Sequence, residues 1–221
     1  MRVGQMYLAL AGIAVAFVEV QPAGAALVVY TDRTVFRAAA PGLPLEDFEA
    51  PLIGAFTGVL NSTTNNSLYA PGDILPGVTV SSPGLIGLQT LAPYMGVPSV
   101  SLATANAGAT LFIDFDPVSA VGFTLLSPLH ELPGTSAPIQ VHVYGASGLI
   151  GSSQLAVDRF GSFVGFISSG SPITQITLTP NDAADIAALD DIEFGPVPEP
   201  RMSALVFLTL ASLVVAKRRL Q

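Results

Sequence analysis

From Val78 onward the chain is a succession of short runs rich in β-branched and aromatic residues, each bounded by Gly, Pro, Ser or Asn. In the run 139–144, Ile and Val alternate with Gln, His and Tyr, the period of a strand with one buried face. Many short strands with regular turns and almost no helical periodicity predict an all-β sandwich or barrel. The strands predicted here are Val78–Ser81, Ser99–Ala103, Thr110–Phe115, Ala120–Leu126, Ile139–Tyr144, Gln154–Val157, Phe163–Ser168, Ile173–Thr179 and Ile192–Phe194.

The preceding part of the chain predicts the one helix of this region. A strand at Leu27–Tyr30 is followed by a helix at Arg33–Ala39, which Thr31 or Asp32 could cap and which Pro41-Gly42 ends. A second strand is predicted at Leu45–Glu49. The stretch 51–77 is rich in Gly, Pro and Asn and predicts loops with one or two short strands.

The first 25 residues read as a secretory signal peptide. Arg2 gives a weakly basic start, and Met6–Val18 is an apolar run of 13 residues. Pro22 breaks this run before the small residues Ala23-Gly24-Ala25, so we expect cleavage after Ala25 or Ala26 and export of the chain.

The other end of the chain has three parts in a fixed order. Val197-Pro198-Glu199-Pro200 precedes the apolar run Met202–Ala216, and the basic residues Lys217, Arg218 and Arg219 follow it. As a helix these 15 residues would span about 22 Å, short of a bilayer core of about 30 Å, but flanking basic side chains can reach outward. A buried C-terminal core helix is the alternative, which the lack of a polar face disfavours. We expect a transmembrane helix with a cytoplasmic basic stop.

This C-terminal arrangement resembles the PEP-CTERM sorting signal of exported proteins in Gram-negative bacteria that make extracellular polysaccharide. The resemblance implies an exosortase as a partner, and Val197, Pro198, Glu199 and Pro200 as the sorting motif. It also implies a precursor anchored in the inner membrane and a mature form at the cell surface or outside the cell. The resemblance covers the segment 197–221 and is silent about the exported domain, 26–196.

The exported domain is strongly acidic. It contains 14 acidic residues and three basic ones, a net charge of −11, and no cysteine, so disulfides do not hold it. Such a surface repels nucleic acid and attracts divalent cations, and we expect no nucleic-acid partner.

Several short motifs of this domain, among them FDPVSAVGF (115–123), VHVYGASGLIGSS (141–153) and LDDIEF (189–194), form an ordered series. The series is similar to jelly-roll carbohydrate-binding modules and discoidin-like sandwiches. The resemblance implies an all-β, jelly-roll-like antiparallel β-sandwich with one short N-terminal helix. In several such modules a Phe-Glu and an Asp-Asp hold a structural calcium ion, which here points to Glu49, Asp190 and Asp191.

The calcium hypothesis has a simpler alternative. Because side chains alternate along a strand, Asp190 and Asp191 would point to opposite faces, and all these carboxylates could be solvated charges that guard sheet edges. Asp114 and Asp116 share one strand face, which we interpret as solvated rather than as a second site.

Catalysis finds little support in the sequence. The only histidines are His130 and His142, and no nucleophile elbow, HExxH helix or phosphate loop is present. We therefore expect no enzyme. The function we favour is a structural matrix component associated with extracellular polysaccharide, and the alternative is a carbohydrate-binding module. A glycan-active enzyme is a third, less favoured alternative, because paired carboxylates for glycoside hydrolysis depend on geometry and not on local sequence. Sugar sites usually present aromatic rings, and this chain has no Trp. Tyr69 and Tyr94 could present a ring to a ligand, but we favour the interpretation that both are packing anchors.

Overall fold

The structure is a computed structural model that describes residues 26–49, 54–56, 58–83, 88–91, 101–127, 137–157 and 160–197. These residues form a sandwich of two antiparallel β-sheets with one short helix, which confirms the predicted fold class. The predicted signal peptide and the segment 198–221 lie outside the described residues. In the ranges described, no helix is long and apolar enough to cross a membrane.

Eight strands build the first sheet, sheet A, and six build the second, sheet B. Sheet A comprises β1 (Leu27–Tyr30), β2 (Leu45–Glu46), β3 (Gly54–Phe56), β6 (Leu88–Leu91), β7 (Ser101–Thr104), β9 (Ala120–Leu126), β12 (Ser162–Ser168) and β14 (Ala188–Gly195). Its order is β1-β12-β9-β14-β7-β6-β3, with β2 paired to β14. Sheet B comprises β4 (Val59–Asn61), β5 (Val78–Ser81), β8 (Leu111–Val118), β10 (Ala137–Gly145), β11 (Gly148–Val157) and β13 (Ile173–Pro180), in the order β11-β10-β13-β8-β5-β4.

The main core lies between the two sheets. The alternation of β10 works as predicted, because Ile139, Val141 and Val143 are fully buried while the side chains between them are half-buried. Facing residues such as Phe123 and Phe166 of sheet A complete this core, which is one continuous cluster. Burial of apolar surface at this interface is the main stabilising contribution.

Helix α1 (Arg33–Ala39) covers the outer surface of sheet A. Asp32 caps it, since its Oδ1 accepts hydrogen bonds from Thr34 N and Val35 N at 2.7 and 3.0 Å. Its buried Phe36 packs directly against two glycines of the sheet, Gly165 and Gly122. A Cβ atom added at either glycine would lie only 2.5 or 2.7 Å from the ring, so a larger residue would clash there. The helix and sheet A therefore form a second, smaller apolar cluster outside the main core.

The structure differs from the predicted strands in places. The strand predicted at Leu45–Glu49 ends at Glu46, because Phe48 adopts a left-handed φ of 53° that a ladder cannot continue. Strands β11 and β14 begin earlier than predicted, at Gly148 and Ala188. Strand β6 was not predicted, and it lies in sheet A between β7 and the edge strand β3.

Phe36→Ala tests how strongly the helix is held. Phe36 is 0% exposed, so its truncation should lower the free energy of unfolding by about 3–5 kcal/mol, through lost apolar burial and the cavity left behind. Val35→Ala is the matched control, because the neighbouring Val35 is 55% exposed and should change stability by less than about 0.5 kcal/mol. Urea unfolding of both variants decides, and equal effects would contradict the packing described.

Candidate functional site

The outer surface of sheet B carries a continuous set of polar and aromatic side chains, here called the open face. One row of paired residues crosses five strands: Tyr144 opposes Gln175, Gln175 opposes Asp114, Asp114 opposes Thr79, and Thr79 opposes Asn61. Four inter-strand steps make this row about 19 Å long. Within the row, Gln175 Nε2 donates to Asp114 Oδ1 at 2.7 Å. The row therefore presents one aromatic ring followed by amide, carboxylate and hydroxyl groups.

A second row runs beside the first and adds two rings. Ser152 opposes His142, His142 opposes Thr177, and Thr177 opposes Phe112. The rings of His142 and Tyr144 lie edge to face, with centroids 6.2 Å apart. Both rings and Phe112 are half-buried, so each keeps part of its surface accessible.

A pocket of about 260 Å³ lies at the β4 end of the first row. It is slightly smaller than the range of about 300–1,000 Å³ typical of sites that enclose a drug-sized ligand, so it suits a single small unit such as one sugar ring. Most of its lining is polar: the lining residues are Asn61, Ser62, Thr63, Gly77, Val78, Thr79, Asp114, Phe115 and Asp116.

The turn after β4 holds one wall of this pocket in place. Asn61 Oδ1 accepts hydrogen bonds from Thr63 N and Thr63 Oγ1 at 2.9 and 2.8 Å, and Asn61 N donates to Thr64 Oγ1 at 2.8 Å. Elsewhere in the lining, Asp116 N donates to the Gly77 carbonyl at 3.0 Å, and Gly77 adopts a φ of 89° that a side chain would strain. The wall residues are thus fixed before any ligand arrives.

The sequence interpretation of Asp114 and Asp116 as an ordinary solvated strand face missed this pocket. Their spacing placed both on one face, and that part is confirmed. The turn of Asn61 packs beside them only because β4 pairs with β5, which local sequence does not reveal. The Asn-rich stretch 61–66 was the one sequence feature that could have indicated a fixed polar turn beside these carboxylates.

The residues predicted to hold calcium are distributed differently. Asp191 lies on a bulge where β14 shifts register against β9, and its φ is 54°. This bulge presents its carboxylate to α1, where Arg33 Nη1 donates to Asp191 Oδ2 at 2.6 Å. The partner of Asp191 in the structure is therefore an arginine.

Glu193, two residues later, joins the same ion-pair network, here called the arginine network. It is 3% exposed; its Oε2 accepts from Arg37 Nε at 2.9 Å, and Arg33 Nε lies 3.4 Å from its Oε1. Arg33 also donates to Thr124 Oγ1 at 2.7 Å and lies 5.1 Å from the Phe163 ring centroid. The hydrogen bond to Glu193 raises the pKa of Arg37. The network connects α1 to the centre of sheet A.

The other two predicted calcium ligands, Asp190 and Glu49, differ in their exposure to solvent. Asp190 is buried and its Oδ1 accepts from Asp191 N at 2.7 Å, whereas Glu49 is exposed. Within the described ranges, no three His, Cys, Asp or Glu side chains are grouped so that they could hold a metal ion. Calcium binding by Glu49, Asp190 and Asp191 stays a prediction.

The buried acid of the Leu45–Glu49 motif is Glu46, not Glu49. Its Oε1 accepts from Phe48 N at 3.0 Å and its Oε2 from Leu75 N at 2.7 Å. Burial raises the pKa of Glu46, and the two backbone donors counteract part of that effect. This carboxylate connects β2 to the loop before β5 and supports the left-handed Phe48.

The structure locates two of the four tyrosine and histidine residues that the sequence analysis singled out. Tyr69 is 2% exposed and belongs to the main core, so it is a packing anchor and not a ligand platform. Tyr94 and His130 lie outside the described residues. His142 lies on the open face, as the alternation predicted.

No family model and no curated protein matches this chain. Its structural neighbours include carbohydrate-binding modules with jelly-roll folds, and a carbohydrate esterase is also among them. A family 6 module from Clostridium stercorarium in complex with cellobiose is 17% identical, with a TM-score of 0.31 over 52% of this chain and 86% of that one. The xylan-binding CBM22-1 domain of a Paenibacillus barcinonensis protein is 14% identical, with a TM-score of 0.39 over 72% and 98%. A β-1,3-glucan-binding family 6 module from Bacillus halodurans is 13% identical, with a TM-score of 0.33 over 52% and 87%. A similarity this distant does not identify a ligand of this chain or the residues that would bind it.

The raised pKa of Glu46 predicts a pH trend. Because the pKa of Glu46 is higher in the folded protein than in the unfolded chain, the unfolded chain releases this proton at lower pH. The stability that protonated Glu46 contributes is therefore complete below its ordinary pKa near 4.5. It is lost as the pH rises through the pKa of the folded protein. Relative to Glu46→Gln, wild type should lose stability as pH increases above about 4.5. Urea midpoints of both proteins between about pH 4 and pH 7 test this; a difference that is flat, or that grows with pH, would contradict it.

Proposed function

We propose that the chain is an exported protein of the cell surface or extracellular matrix, sorted by an exosortase-type system, whose β-sandwich binds extracellular polysaccharide through the open face. The observation that carries the proposal is the open face with its pocket, a row of hydrogen-bonding groups and rings that crosses five strands.

The chemistry of the open face suits a glycan. Sugar rings offer hydroxyl groups, which amides, carboxylates and hydroxyls bind, and an apolar C–H face, which an aromatic ring can cover. Tyr144 and His142 supply the rings at one end of the face, and Asn61, Thr79 and Asp114 supply the polar groups at the other. A row of about 19 Å matches an oligosaccharide rather than a single sugar.

The two faces of the sandwich differ in a way that supports this assignment. Sheet A has its outer surface covered by α1 and the arginine network. The open face of sheet B keeps half-buried rings and polar groups that are held by one another, such as Gln175 with Asp114. The open face is therefore the side of the sandwich that keeps rings and hydrogen-bonding groups accessible to a ligand.

The termini support the sorting part of the proposal. The apolar N-terminal run is typical of an exported chain. The three parts of the sorting signal are Val197-Pro198-Glu199-Pro200, the apolar run Met202–Ala216 and the basic residues Lys217, Arg218 and Arg219. Strand β14 ends at Gly195, and Val197 is the last residue with a described contact, its N donating to Ser119 Oγ at 2.6 Å. The Pro-Glu-Pro triplet therefore follows the domain directly. We assign the domain no catalytic role.

Removal of the two rings tests glycan binding. The double variant His142→Ala/Tyr144→Ala should reduce retention in native gels containing soluble polysaccharide by about tenfold or more, because the apolar faces of bound sugars lose their cover. Phe160→Ala is the control, since this ring is 56% exposed but lies outside the open face. Unchanged retention of a correctly folded double variant would contradict the assignment of the open face.

The sorting motif is tested by replacing Pro198, Glu199 and Pro200 with alanine. The protein recovered from the exporting host should then keep its C-terminal segment, which mass spectrometry of the intact chain detects. The melting temperature should not change, because the replaced residues follow β14, the last strand that the structure describes. A mature mass equal to that of wild type after correction for the substitutions would show that the triplet is not read.

A further inference from the structure

We infer that the open face accepts polysaccharides without acidic groups and rejects acidic ones, and that Asp114 and Asp116 are the residues responsible. This inference rests on the proposed glycan binding and adds the substrate class. The property concerned is the negative charge that Asp114 and Asp116 bring to the pocket at the β4 end of the first row.

Both carboxylates line the same pocket, on one side of β8. Asp114 is half-buried in the middle of the row and bonded to Gln175, so it is fixed in place. Asp116 is exposed at the pocket edge, beside Gly77. A sugar that enters the pocket meets two negative charges held at short range by the backbone of one strand.

The described part of the chain offers these charges no compensating cation on the open face. Its two arginines, Arg33 and Arg37, project from α1 onto the opposite side of the sandwich, where Asp191 and Glu193 bind them. The base on the open face is His142, which lies in the second row, two strands away from β8. The net charge of −11 across 26–196 adds repulsion of the same sign.

An uncharged sugar meets the same groups favourably. Hydroxyl donors can bind a carboxylate through charge-assisted hydrogen bonds, which are roughly twice as strong as those between neutral groups. A uronate, sulfate or phosphate brings a like charge to within a few ångströms, where the repulsion at low ionic strength should weaken binding about tenfold or more. The same two residues therefore attract one class of glycan and exclude the other.

A matched pair of polymers tests the inference. A panel of neutral polysaccharides identifies the tightest binder in affinity gels, and oxidation of its primary hydroxyls to carboxylates gives the acidic counterpart on the same backbone. A panel of natural polyuronates is screened in parallel. At low salt and neutral pH, the oxidised polymer should bind at least about tenfold more weakly than the neutral one. The difference should shrink in 0.5 M salt, because screening weakens the repulsion.

Two substitutions isolate the residues. Asp114→Asn/Asp116→Asn should reduce the discrimination between the two polymers to about threefold or less, since both side chains keep their shape and lose their charge. Asp32→Asn/Asp47→Asn removes the same net charge elsewhere on exposed residues and should leave the discrimination unchanged; Asn also serves as a helix cap at position 32. Melting curves confirm that each variant is folded.

The outcomes separate the two proposals. Equal binding of neutral and oxidised polymer, or binding of polyuronates alone, overturns the charge selection and leaves glycan binding intact. Discrimination that persists in Asp114→Asn/Asp116→Asn overturns the assignment of these residues. Failure to bind any polysaccharide of either panel overturns both proposals.

Discussion

The arginine network decides which face of the sandwich is covered. Sheet A has an apolar outer surface around Ala120 and Phe163, which a sandwich of two sheets alone would leave exposed to water. Helix α1 covers it, and Arg33 and Arg37 hold the helix through Asp191 and Glu193. Because Glu193 is almost fully buried, loss of both arginines would leave a buried charge without its ion partners, which is costly. The covered face and the open face follow from this one arrangement.

The bulge of β14 makes that arrangement possible. The extra residue in β14 re-aims Asp191 toward Arg33, and its left-handed backbone is supported by Asp190 Oδ1, which accepts from Asp191 N. A regular strand would have placed Asp190 and Asp191 on opposite faces, the difficulty that the sequence already raised for a shared metal ion. In the structure the bulge instead turns the Asp191 carboxylate toward Arg33, which is its ion partner.

Local patterns were sufficient for most of the fold and for part of the site. Helix Arg33–Ala39 and strands Leu27–Tyr30, Val78–Ser81 and Ala120–Leu126 were predicted with the bounds observed, because period and capping are encoded within a few residues. The side of β10 that carries His142 and Tyr144 followed from alternation alone. The pocket could not be predicted, since it needs the pairing of β4 with β5 and of β5 with β8, which brings Asn61 near Asp114, about 50 positions away in the sequence. The Arg33–Asp191 pair, 158 positions apart, was hidden for the same reason.

The proposed function places a polysaccharide across the row from Tyr144 to Asn61, with one sugar in the pocket beside Asp114 and Asp116. The most direct measurement is a map of backbone amide shifts in the ¹⁵N-labelled domain, titrated with a bound oligosaccharide. The account predicts shifts on β10, β13, β8 and β5 and in the turn after Asn61, while amides of α1 stay unchanged. Shifts confined to α1 and sheet A, or to the edge strand β11 alone, would contradict it.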